Sequence, residues 1–183
     1  MTTKSINHNC NSSQYHNYYI PSHELLNGYS QWVQEYKDKG WNAFLVTFMF
    51  KPLGGGDKAA LNKMMDEVER VYSTFITSVV RKPHSKYQKE SRPVLIVAPD
   101  RPVLKNEKQK LRDVKINGGV HMHGILLVPG RSRLKEGVET HFKRHENRYV
   151  RNNLVKCSAD PIQPGRSGRL CVQIGQEQAI QLR

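Results

Sequence analysis

Ten consecutive residues, Trp41-Asn42-Ala43-Phe44-Leu45-Val46-Thr47-Phe48-Met49-Phe50, are apolar on both faces of any strand they form. Successive side chains of a strand point to opposite sides. Phe44, Val46, Phe48 and Phe50 line one face, and Ala43, Leu45 and Met49 fall on the other. Such a strand belongs in the middle of a sheet covered on both sides. The next stretch of chain supplies one of the covers. After Lys51-Pro52 and a glycine-rich loop, Asp57 caps a helix that runs to about Arg81. Its apolar residues Leu61, Met64, Met65, Val68, Val71, Tyr72, Phe75, Ile76 and Val79 form one stripe at 3-and-4 spacing, and Pro83 stops it. The loop Gly54-Gly55-Gly56 has no following Gly-Lys-Ser/Thr, which excludes a P-loop.

The other elements come from the same periodicities. Ser22 caps a first helix carrying Leu25, Leu26, Tyr29, Trp32, Val33 and Tyr36, with Gly40 as its C-cap. Val94 to Ala98 is a second strand, and residues 101–117 form an exposed, charged connection suited to facing DNA. Residues 119–128 are a third strand, 136–147 a helix, and Leu154 to Ser158 a fourth strand. The expected fold is α+β: a ferredoxin-like β-α-β-β-α-β sandwich with an antiparallel central sheet and an extra N-terminal helix. Residues 1–20 are expected to be a disordered tail, 21–163 one folded domain, and 164–183 an irregular tail.

The third strand carries the chemistry. In Val120-His121-Met122-His123-Gly124-Ile125-Leu126-Leu127-Val128 the two histidines are i and i+2 and share a face. Ile125 and Leu127 continue that face, while Val120, Met122, Leu126 and Val128 fill the other. A packed, hydrogen-bonded strand histidine is the ordinary reading of one such residue. Two titratable rings on one apolar strand are costly unless something uses them. Imidazole is a common ligand of divalent metals, so His121 and His123 are assigned as a metal-binding pair.

Charge narrows the partner. The chain of 183 residues has 29 Lys plus Arg against 16 Asp plus Glu, a net charge of +13. A surplus of this size marks a polyanion, nucleic acid first. Arg131, Arg133 and Lys135, just after the histidine strand, are candidate DNA contacts. No apolar run approaches the roughly 18 residues that span a bilayer, so no membrane partner is expected. Cys10, Cys157 and Cys171 have neither CxxC spacing nor a disulfide framework. A reducing, cytoplasmic setting is the expectation.

Val120-His121-Met122-His123, followed by Gly124-Ile125-Leu126, resembles the hydrophobic-His-hydrophobic-His motif of HUH single-strand endonucleases. Phe44-Leu45-Val46-Thr47-Phe48 resembles the first motif of rolling-circle replication initiators. Over residues 41–163 the order of elements is similar to replication initiators of bacterial plasmids and mobile elements, and to single-tyrosine transposases. A histidine-triad hydrolase would need a third histidine where Ile125 stands. The resemblance implies a pair that, with a third polar ligand, holds Mg²⁺ or Mn²⁺ at the scissile phosphate of single-stranded DNA or a DNA hairpin. It also implies a tyrosine that attacks phosphorus, leaving a 5′-phosphotyrosine and a free 3′-hydroxyl. The implied function is nicking and joining in replication initiation or transposition.

Several assignments stay open at this point. Replication initiators carry Tyr-x-x-Lys on a helix after the histidines. Tyr149 is the only tyrosine after His123, and it is the candidate nucleophile, although Asn152 stands at the lysine position. Tyr36-Lys37-Asp38-Lys39 matches the motif upstream, as in relaxases, where the tyrosine lies near the N-terminus; packing is the competing role for both tyrosines. The composition shift after Asp160 leads to the expectation that the chain has lost its tyrosine helix by truncation or frameshift and is catalytically incomplete. The third ligand is Asp100, Asp113, or a residue of the His141, His145 and Glu146 group, whose plainer reading is a solvated helix face. The alternatives to an HUH enzyme are a non-catalytic nucleic-acid-binding module on the same fold and a hydrolase with a different metal such as zinc.

Overall fold

A computed structural model describes residues 22–100, 117–162 and 180–182. The expected tail at 1–20, the connection 101–116 with Asp113, and residues 163–179, where the expected loss of the tyrosine helix falls, lie outside the described residues. Helix α1 spans Ser22–Asp38, strand β1 Trp41–Phe50, helix α2 Asp57–Val79, strand β2 Val94–Asp100 and strand β3 His121–Pro129. Two short helices, α3 Val138–Arg144 and α4 Glu146–Tyr149, precede strands β4 Leu154–Pro161 and β5 Ile180–Leu182.

The strands form one sheet in the order β4-β1-β3-β2-β5, with every neighbouring pair antiparallel. The architecture is α+β, with an open antiparallel sheet and helices, and it is compatible with a ferredoxin-like sandwich. β1 is internal to the sheet, as its two-faced apolar sequence predicts.

The two faces are covered by different helices. Val46, Phe48 and Phe50 of β1, Leu95 and Val97 of β2, and Met122, Leu126 and Val128 of β3 pack with the buried stripe of α2. Phe142 of α3 and Tyr149 of α4 join the same cluster. Full burial of one side chain such as Phe75 contributes about 1.5–3 kcal/mol, so this face holds most of the apolar core. On the opposite face Ala43, Val94, Ile96, Ala98, Ile125 and Leu127 pack against Val33 and Tyr36 of α1. Gly40 makes the tight return from α1 to β1. Its φ of +80° suits the residue after a helix end, and its N–H bonds the Lys37 carbonyl at 2.9 Å.

Four local expectations change. Gly56 rather than Asp57 is the N-cap of α2, and Asp57 sits in the first turn, where its charge suits the helix dipole. Strand β2 continues through Pro99 to Asp100. The helix expected over 136–147 is two pieces, broken at His145, whose φ of −107° and ψ of 26° lie outside the helical region. The terminal tail is not wholly irregular: Ile180 pairs with Val97 and Leu182 with Leu95. β5 thereby satisfies backbone groups that the β2 edge would otherwise present unpaired.

Candidate metal centre

The register of the sheet builds a cluster at one end of the α1-side face. His123 is paired across the ladder with Thr47 of β1 on one side and Ala98 of β2 on the other. Asp100 lies opposite His121. Because Asp100, Ala98, Ile96 and Val94 share a face of β2, the carboxylate projects on the same side as both imidazoles. Asp100 Oδ2 lies 3.5 Å from Nε2 of His121 and 3.5 Å from Nε2 of His123. The two Nε2 atoms are 2.9 Å apart. Among the described residues, Asp100, His121 and His123 thus converge as three potential ligands. Their side chains are half-buried, at 22%, 27% and 20% exposure respectively, so the cluster opens to solvent from a rigid floor.

Neighbouring groups orient both rings. Nδ1 of His121 lies 3.1 Å from the Gly119 carbonyl. A carbonyl can only accept, so Nδ1 carries the hydrogen, and Nε2 of the neutral ring presents its lone pair to the cluster. Gly119 is held by the turn 117–119. There the Asn117 amide accepts from the Leu53 N–H at 2.7 Å and donates to the Lys51 carbonyl at 2.9 Å. Nδ1 of His123 lies 3.0 Å from the Thr47 hydroxyl, which can donate or accept. A cation would be held by Nε2 of both rings, with His123 Nδ1–H donating to the Thr47 hydroxyl. Burial first, and then the neighbouring His121, push the His123 pKa below 6.5 against the pull of Asp100. The neutral, ligating form is thereby favoured.

The donor set fits a divalent metal. Two imidazoles and a carboxylate suit a divalent transition metal, and imidazole is less suited to Mg²⁺.

Other expected site residues lie elsewhere. Tyr149 is 1% exposed in the α2-side core, across the sheet from the pair. Its hydroxyl bonds Nε2 of His141 at 2.8 Å, and burial raises its pKa to about 12. It is a core tyrosine on the face of the sheet opposite the pair. Tyr36 is on the histidine side but buried edge-on against Trp32 and Trp41, beyond the opposite end of the face. Arg131, Arg133 and Lys135 are exposed, but they follow the far end of β3. The eight steps from His121 to Pro129 span about 26 Å of extended chain, which separates these cations from the pair. His141 and His145 converge on Glu136 rather than on Glu146 or the strand pair. Sequence spacing gives no signal for Thr47 or the Gly119 carbonyl, because only the cross-strand register and the turn bring them to the rings. The Cys157 thiol is buried and its pKa is raised, which keeps it protonated.

No family model, curated protein or solved structure matches the chain. Among the described residues no helix is long and apolar enough to cross a membrane.

Proposed function

We propose that the protein is an HUH-type enzyme on a ferredoxin-like sandwich, nicking and joining single-stranded DNA with Mn²⁺ or Mg²⁺. The observation that carries the reading is the convergence of Asp100 with His121 and His123 on the open end of a sheet face. Asp100, His121 and His123 would hold a divalent cation, which would supply polarisation of a phosphodiester and charge stabilisation. The chain's own residues fix the ligands: Gly119 and Thr47 hold the ring orientations, and β2 presents the carboxylate.

Charge supports a nucleic-acid substrate. Between Asp100 and Asn117 the sequence holds six basic residues (Arg101, Lys105, Lys108, Lys110, Arg112 and Lys115) against Glu107 and Asp113. A cationic surplus of this kind suits a polyanionic partner. The nucleophile has to approach from the histidine face. Tyr29 of α1 packs on that side and is the candidate in place of the buried Tyr149. An upstream tyrosine matches the relaxase-like order.

A long single-stranded DNA circle and hairpin oligonucleotides, incubated with Mn²⁺, test the reading. Cleavage with a covalent protein–DNA adduct, abolished in His121→Ala, His123→Ala and Asp100→Asn, is the expected result. Wild-type protein that leaves all such DNA intact would overturn the enzyme. The non-catalytic module is the second reading, favoured by the seclusion of Tyr149 in the core. It predicts salt-sensitive binding that none of these three substitutions alters.

A further inference from the structure

A second cluster, separate from the strand pair, stands at the corner between the loop after β3 and the short helices. His141 lies in α3 and His145 at the break before α4, four residues on, so both rings share one side of the turn. Glu136, in the loop leading into α3, turns its carboxylate toward them. Its Oε1 is 3.4 Å from Nδ1 of His141 and 3.5 Å from Nε2 of His145. All three potential ligand atoms lie within 4.8 Å of one another.

Those two separations are long for hydrogen bonds. They match the edge of a tetrahedron around an ion: ligands about 2.0–2.1 Å from zinc stand about 3.4 Å apart. The surroundings fit as well. Nε2 of His141 is engaged by the Tyr149 hydroxyl at 2.8 Å, which leaves Nδ1 as the ligating atom. A ring nitrogen held by an outer partner while the other faces the ion is the usual arrangement of a metal-bound histidine. The Glu136 side chain is only 16% exposed, and Arg144 lies 2.8 Å from its second oxygen, Oε2, leaving Oε1 turned toward the histidines. Phe75 and Phe142 pack around His141.

We propose that Glu136, His141 and His145 form a second metal site, of zinc type, with three protein ligands and a fourth position open to solvent. The ion ties the loop after β3 to the α3–α4 corner, which covers one edge of the α2-side core. The site is independent of the strand pair and of the function proposed above.

The test uses the full chain carrying His121→Ala and His123→Ala, so that the strand pair contributes nothing. Metal is stripped with chelator, and Zn²⁺ is titrated in competition with a chromophoric chelator. Co²⁺ is then added as a spectroscopic substitute. One tight equivalent of Zn²⁺, the visible absorption of tetrahedral Co²⁺ and a rise in melting temperature are expected. Adding Glu136→Gln or His145→Gln should remove all three while circular dichroism stays unchanged. His145 is partly exposed, so its variant keeps the test valid if Glu136→Gln fails to fold. A folded background protein that binds no Zn²⁺, or one whose binding survives both added substitutions, would overturn the site.

Discussion

The hydroxyl of Thr47 lies 3.0 Å from Nδ1 of His123, and the two residues are partners across the β1–β3 ladder. The contact makes Thr47 a positioning residue, since it decides which His123 nitrogen faces the cluster. Thr47→Val keeps the shape and removes the hydroxyl. Mn²⁺ affinity, measured by calorimetry, should fall about 10–100-fold, with the melting temperature of the metal-free protein nearly unchanged. Wild-type affinity in this variant would show that the hydroxyl has no positioning role.

Gly124 sets how closely β2 approaches β3. A Cβ built at this position would stand 2.6 Å from the Ile96 carbonyl oxygen, a backbone atom that cannot swing aside. Gly124→Ala must therefore push the strands apart, at a cost of about 1–3 kcal/mol. The same shift disturbs the pairing of Asp100 with His121. Urea unfolding should show the loss of stability, and Mn²⁺ affinity should drop with it. A variant as stable as wild type would mean that the sheet accommodates the methyl group.

Sequence periodicity carries most of the sheet and little of the site's third dimension. The alternation in β3 places His121, His123, Ile125 and Leu127 on one face, and the structure agrees. Placing Asp100 beside the pair needs cross-strand register, which one-dimensional spacing does not encode. Arg131 to Lys135 follow the histidines closely in sequence, yet an extended strand carries them to the other end of the sheet. The burial of Tyr149 is hidden in sequence because the break at His145 interrupts the helical spacing that would show it. β5 has three residues, too few for a periodic signal.

Acid should destabilise the metal-free protein through its histidines. Burial and a neighbouring imidazole lower the pKa of both His123 and His141 below 6.5. The unfolded chain then binds more protons than the folded one between 6.5 and the depressed values. The stabilisation is complete above pH 6.5 and is lost as pH falls through the folded-state values. Urea unfolding in chelator, repeated at steps from pH 7.5 to 5, should show this decline. His123→Gln should make it shallower, and an equal slope in the variant would exclude His123 as a source.

Tyr149 predicts the opposite behaviour at high pH. Burial raises its pKa from 10.0 to about 12, so the folded state favours the neutral phenol. Its contribution is fully present below pH 10 and is lost as pH rises toward 12. Tyr149→Phe removes that titration and also leaves Nε2 of the buried His141 without the hydroxyl 2.8 Å away. Near neutral pH the variant should be less stable by about 1–3 kcal/mol, the usual cost of stranding a buried polar group. Between pH 10 and 12 the gap should narrow, because only the wild type loses stability through this group. Denaturant unfolding of both proteins in chelator, at pH 8, 10 and 11.5, measures the difference. A gap that stays constant across that range would mean that the Tyr149 phenol titrates as freely in the folded protein as in the unfolded chain.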